Sequence, residues 1–234
     1  AVHEGRTVQS RSIKSITREA KRIAGLPDFK GYIQDVGGPT ANMYGFECGK
    51  KLEKGSCTDR RCLFPEICPH LKPDHSRQIE LLTKIRQIDG IKKAFIASGL
   101  RYDLLFHHQS HYMKYLDEIV SNHVSGQMKG VPEHTQSNVL DLMGKPDPDS
   151  ILERKTIFAR LSRLVSKKQF LTYYLIAAHP GCNLDDMRKL KTFAHEKLRI
   201  KPEQIQIFTP TPSAYSTLMY HTGLDPFTGN KIFV

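Results

Sequence analysis

Four of the chain's five cysteines, Cys48, Cys57, Cys62 and Cys68, fall in one run, Cys-x8-Cys-x4-Cys-x5-Cys. Thiolates bind zinc and iron–sulfur clusters, so this run is a candidate metal site. It lacks the paired Cys-x2-Cys of common zinc modules, and four free thiols are the alternative. Just before it stands Gly37-Gly38-Pro39-Thr40. Two adjacent glycines let a small polar ligand approach the backbone closely, and Thr40 adds a hydroxyl. Plain loop punctuation is the competing reading. His107, His108 and His111 have metal-compatible spacing but no completing Cys or carboxylate, and read as a solvated loop. Cys182, alone after Pro180-Gly181, reads as a helix-start residue.

The glycine turn needs an element to hold it, and Tyr32–Val36 supplies a short buried-strand pattern. Before it, Ser12 is a candidate N-cap for a helix with Ile13, Ile16, Ala20 and Ile23 on one face, stopped by Gly25 and Pro27. Later strands are expected over Lys93–Ser98, Gln127–Val131, Phe170–Ala178 and Gln204–Phe208. Helices are expected from Asp74 or Ser76 to Gly90, around Met113–Asn122, and over Ser137–Met143 and Ser150–Ser166. Two more are expected, one after an Asn183 cap and one before Gly223. The order is a helix followed by five strand-helix units, which implies an α/β fold with a parallel sheet and right-handed crossovers. Each strand ends in a polar loop, containing Gly or Pro in all but the third: Gly37–Thr40, Ser98–Arg101, Glu133–Thr135, His179–Gly181 and Thr209–Pro212. Ligands in parallel α/β architectures bind at the carboxyl ends of the strands.

Composition sets the outer bounds. The chain has 234 residues, enough for one large domain. No apolar run reaches membrane-span length, and the N-terminus is polar and basic, so a soluble, cytoplasmic protein is expected. Lys and Arg outnumber Asp and Glu by 35 to 24, for a net charge of +11. That balance suits anionic cofactors or nucleic acid, although no RNA-binding module signature accompanies it. An odd cysteine count without an export signal argues for metal or free thiols over a disulfide framework.

Six passages, in order and spacing, resemble the YgiQ-like family of radical S-adenosylmethionine (radical SAM) iron–sulfur proteins. They are Asp35–Met43, Cys62–Pro65, Ile96–Asp103, Pro132–Thr135, Ala177–Gly181 and Thr209–Pro212. The resemblance runs through nearly the whole chain and implies a partial parallel (β/α) barrel, with strands two to six over residues 1–223. A Cys-rich excursion at 41–75 interrupts it, and a tail at 224–234 leads toward a further C-terminal region. The superfamily's Cys-x3-Cys-x2-Cys, which holds a 4Fe-4S cluster after the first strand, is absent. The expectation is a fragment without the first strand and the cluster loop, inactive alone.

The resemblance also assigns roles. It implies that Gly37, Gly38, Pro39 and Thr40 bind the amino group of S-adenosylmethionine through carbonyls and a hydroxyl. Thr40 or Pro39 stands where the superfamily commonly has Glu. Ser98 and Arg101 end the third barrel strand, where Arg101 could pair with the cofactor carboxylate or instead with Asp103. Glu133 sits where ribose contacts fall, or else favours a helix start. Ala177, His179 and Pro180 lie in the motif that runs along adenine, mainly through backbone. Cys48, Cys57, Cys62 and Cys68 could hold an auxiliary iron–sulfur cluster or zinc. In the intact protein, the implied activity is generation of a 5′-deoxyadenosyl radical on an unidentified substrate. A non-catalytic basic module that binds RNA or a protein partner, with a structural metal, is the alternative.

Overall fold

The computed structural model describes residues 9–38, 40–55, 57, 61–105, 109–212 and 214–234. Its first helix, α1 (Ile13–Ala24), begins where the sequence places it. Ser12 is extended, and its hydroxyl accepts from the Ser15 amide at 3.1 Å, satisfying a donor that the helix cannot. Lys21 and Arg22 in the last turn complement the helix dipole before Gly25 ends it.

There follow β1 (Tyr32–Ile33), α2 (Gly49–Lys54), α3 (Ser76–Arg86), β2 (Lys93–Ala94), α4 (Tyr102–Leu105), α5 (Gln109–Asn122) and β3 (Gln127–Glu133). The second half holds α6 (Ser137–Met143), α7 (Asp149–Leu164), β4 (Phe170–Ala177), α8 (Leu184–Phe193), β5 (Gln206–Ile207) and α9 (Tyr215–Thr222), with a π-helical turn, Ala194–Leu198, extending α8. Asn183 caps α8 through a reciprocal box: its side chain accepts from the Asp186 amide and the Asp186 carboxylate accepts from the Asn183 amide, each at 3.0 Å.

Among the described residues the paired strands are parallel: β1 with β2, β3 with β4, and β4 with β5. A parallel bridge between Leu100 and Gly130 joins the two sheets, so the strands lie side by side in chain order. The helices advance in the same order, α1 on α3, α3 on α5 and α5 on α7. A doubly wound sheet would reverse its strand order partway, whereas a singly wound one does not. Among the described residues, β1 and β5 are not paired with each other.

The first two strands are shorter than the sequence suggests, for a local reason. Pairing continues past them through Phe95 N–H to Ile33 O (2.9 Å) and Val36 N–H to Phe95 O (2.7 Å). It then stops because the Asp35 carboxylate takes the amides of Ala97 and Ser98. The core beneath falls into adjoining clusters: Leu82, Ile96, Leu100, Tyr115, Ile119, Met128 and Phe158 pack in one, Ala20, Leu81, Ile85 and Ala94 in a second, and Val36 packs against both. Each fully buried large side chain contributes about 1.5–3 kcal/mol. No described helix is long and apolar enough to cross a membrane.

Candidate functional site

The turn after β1 is fixed by charge and by sterics. Asp35 accepts from the Ala97 amide at 2.9 Å, the Ser98 amide at 3.2 Å and the Ser98 hydroxyl, which ties the β1 exit to the β2 exit. Gly37 lies in that junction. A Cβ there would stand 2.6 Å from both Asp35 Oδ1 and Ser98 Oγ, so only glycine fits. A Cβ on Gly38 would meet nothing within 4 Å, which leaves its backbone open to a ligand.

Beyond the turn, the Ala41 amide donates to Gly99 O at 3.0 Å, and buried Asn42 exchanges two 2.9 Å bonds with the Arg101 backbone. From below, Gln78 donates to Ala41 O at 2.6 Å and receives the Tyr115 hydroxyl at 3.0 Å. Gly37, Gly38 and Thr40 line one end of a cavity of about 460 Å3 whose apolar walls are Ile16, Ala20, Ile23, Leu81 and Ile85 of α1 and α3. Glu133, Arg101 and His179 are not among its lining residues. Pro39 lies outside the described residues.

A buried charge cluster gathers the segment after β2, the end of β3 and the segment after α6. Arg101 grips Asp103 with two bonds, Nε to Oδ1 at 3.0 Å and Nη2 to Oδ2 at 2.5 Å. Burial pushes the Asp103 carboxyl up, but the hydrogen-bonded guanidinium outweighs it and holds Asp103 below the usual carboxylate range. The Arg101 fork is therefore engaged within the chain, the second of the two roles the sequence allows. Glu133 ends β3 with a φ of 66°, a left-handed conformation that costs a non-glycine residue energy and clusters at functional sites. Its carboxylate meets Lys145 Nζ at 3.2 Å and retains 21% of its side-chain exposure, while Lys145 retains 9%. Burial pushes the Lys145 ammonium below its ordinary range, and the attraction of Glu133 opposes that only in part. Arg101 and His179 both feel the Glu133 charge.

Ala177 ends β4 beside Ile207, and Ala178 is again left-handed, with a φ of 57°. His179 is buried: its Nδ1–H donates to Pro180 O at 2.7 Å, so Nε2 accepts the Ser216 hydroxyl at 2.7 Å. It thereby pins α9 to the β4 exit. Next to it, the Gly181 amide donates to Phe233 O at 2.6 Å, which brings the 224–234 segment back onto the sheet's carboxyl edge. Cys182 is more than a helix-start residue. Its buried thiol lies 3.5 Å from His134 Nε2, and His134 Nδ1 accepts the Gln136 amide at 3.1 Å. Burial lowers His134 to about 4, so the ring is neutral.

The Cys-rich excursion packs on the body of the protein. All five cysteines are free. Cys48, Cys62 and Cys68 share one apolar cluster with Leu71, Leu104 and Phe46, and the Cys68 amide donates to Cys62 O at 2.9 Å. Burial, together with the Cys48 and Cys68 thiols, pushes Cys62 up. Cys57 is half-buried and lies outside this cluster. Among the described residues, no three His, Cys, Asp or Glu side chains stand together at metal-holding distances. Arg61 closes the excursion over the C-terminal segment, with its guanidinium 4.4 Å from the Phe64 ring centre and 4.5 Å from that of Phe227. His107 and His108 lie outside the described residues, as does the His111 side chain.

With this geometry in place, the chain can be set beside known proteins. It is 57% identical, over all 234 residues, to a UPF0313 protein of Fusobacterium nucleatum. UPF0313 proteins of Methanosarcina mazei and Clostridium perfringens are each 44% identical over 232 residues, or 99% of the chain. The chain spans 41%, 36% and 35% of the length of these three relatives. No family model matches it.

The structure brings Gly37 against Ser98, and Arg101 and His179 within electrostatic reach of Glu133. Sequence reasoning missed Asn42, Gln78 and Lys145, which hold these groups. Lys145 sits between Gly144 and Pro146, where it reads as an ordinary surface lysine in a loop; only the fold buries it.

Proposed function

We propose that the chain is the S-adenosylmethionine-binding core of a radical S-adenosylmethionine iron–sulfur enzyme, folded as a partial parallel barrel. One observation carries the reading: at the β1 exit, a glycine locked by contact precedes a glycine whose backbone is open. That turn sits on a parallel sheet whose strands run in chain order, as the barrel requires.

The residues fit the cofactor in two of three places. Carbonyls of the open turn, with Thr40, suit an ammonium, and Glu133, held by Lys145, suits two ribose hydroxyls. Arg101 does not fit as the carboxylate partner, because Asp103 occupies its fork. That group must be met by something else, and in this superfamily the cluster iron does so. The four Cys ligand candidates of this chain are not the Cys-x3-Cys-x2-Cys of the main cluster, so the longer protein would supply that cluster. When bound to a reduced cluster, S-adenosylmethionine supplies a hydrogen-abstracting radical. The role of this chain is to bind and orient it.

The test is reductive cleavage of S-adenosylmethionine to methionine and 5′-deoxyadenosine by the longer protein, reconstituted anaerobically. Cleavage by the longer protein, and none by residues 1–234 alone, is expected. A cluster-loaded longer protein that neither binds nor cleaves the cofactor would remove the reading.

A further inference from the structure

Side chains alternate along a strand, and here one set of alternates sinks into the helix-packed core: Ile33 and Ala94 in one cluster, Met128 and Leu171 in the other. Their neighbours in the strands therefore point to the opposite face of the sheet. At its amino end that face carries Tyr32 of β1 beside Lys93 of β2, and Gln127 of β3 beside Phe170 of β4, with Lys129 beside Thr172 in the next row. Its rings stand open to water: Tyr32 is 45%, Phe170 56% and Tyr174 37% exposed. Phe95 backs Tyr32 in a near-parallel stack, 6.5 Å between centres and 11° between planes, which fixes the outer ring. Lys93 and Lys129 are exposed too, and among the described residues neither has a carboxylate partner. The Lys92 ammonium stands 6.0 Å from the Tyr32 ring centre, and the Lys93 and Arg86 charges reach Lys167.

This mixture decides what can cover the face. An aliphatic layer packed on it would strip two ammonium groups of water and give them no partner, which is unfavourable. Rings interleaved with lysines match a ligand that is itself flat rings and negative charge in turn: bases stack on the rings and phosphates meet the ammonium groups. The net charge of +11 has the matching sign. We propose that this open sheet face binds single-stranded nucleic acid, with bases on Phe170, Tyr32 and Tyr174 and phosphates on Lys93 and Lys129. A duplex keeps its bases stacked on one another, out of reach of such rings, so single strands are preferred. Tyr174 feels the Glu133 charge, so a bound strand extends toward the carboxyl edge of the sheet. The inference goes beyond cofactor binding and does not depend on it.

The test is fluorescence anisotropy of the longer protein with labelled RNA and DNA strands of one mixed sequence, about twelve nucleotides long, and with the corresponding duplex. Binding of a single strand that weakens as salt rises is expected, and whichever of RNA and DNA binds more tightly names the source of the ligand. Phe170→Ala should weaken binding about fivefold or more, while Phe170→Trp, which keeps a stacking ring, retains it and separates loss of stacking from loss of the fold. Lys93→Gln and Lys129→Gln should each reduce the slope of log affinity against log salt by about 0.7, and Lys191→Gln, on the exposed side of α8, should leave it unchanged. No binding at low salt, equal affinity of wild type and Phe170→Ala, or tighter binding of the duplex would overturn the assignment. So would a protein dimer that Phe170→Ala dissociates, since a second copy would then be the occupant.

Discussion

Glu133→Gln should unmask how the carboxyl edge is held. The substitution keeps shape and hydrogen-bonding capacity but leaves the Lys145 ammonium, 9% exposed, without its 3.2 Å partner. Removing one member of a buried ion pair costs 3–5 kcal/mol, and because Glu133 retains 21% exposure the loss should fall at the lower end, about 3 kcal/mol. In a domain of this size that is about 6–12 °C in Tm. Lys145→Met added to Glu133→Gln removes the stranded charge and should recover about 2 kcal/mol, a coupling that separated residues would not show. The pH dependence has a definite sign. Burial holds Lys145 below its ordinary value of 10.5, so the folded state binds fewer protons than the unfolded chain between the lowered value and 10.5. Stability of Glu133→Gln therefore rises with pH across that window, and its deficit is fullest at neutral pH. Urea unfolding followed by circular dichroism, at neutral and at alkaline pH, reads both effects. A loss under about 0.5 kcal/mol, the range of an exposed pair, would refute the reasoning.

Other consequences follow from neighbouring contacts. Gly37→Ala places a methyl 2.6 Å from Asp35 Oδ1 and Ser98 Oγ and should cost about 1–3 kcal/mol in urea unfolding, as overpacking does. His134, at about 4, is held neutral by burial, so the unfolded state binds more protons between pH 6.5 and 4, and stability falls as pH drops. His134→Gln should reduce that decline by up to about 1.4 kcal/mol per pH unit, measured as the slope of unfolding free energy against pH. Arg61→Ala removes two ring contacts and the bond to Leu142 O, and should cost about 1–2 kcal/mol while speeding amide exchange in residues 224–234.

Legibility of the sequence varied with the range of the interaction that decides each feature. The Ser12 and Asn183 caps, and the Ser137–Met143 helix, were readable because they depend on neighbours a few residues away. Strand identity and parallel order were readable from the alternation of strand and helix patterns. Strand length was not, because Asp35 diverts the Ala97 and Ser98 amides from 62 and 63 residues away in sequence. The short helices α2 and α4 carry too few turns for a periodic signal. At the site, Gly37, Gly38 and Glu133 stood out by their place after strands. Arg101 had two readings that only the geometry of Asp103 could separate, and Lys145 gave no signal at all.

The central claim, that the turn after β1 receives S-adenosylmethionine, is tested most directly by calorimetric titration of the cofactor into the longer, cluster-loaded protein and its Gly38→Val variant. A valine at 38 meets nothing within 4 Å of its Cβ, so the fold should be unaffected and Tm unchanged. Blocking backbone approach should weaken binding tenfold or more, about 1.4 kcal/mol. Equal affinity of wild type and Gly38→Val, with both folded, would contradict the placement of the cofactor at this turn.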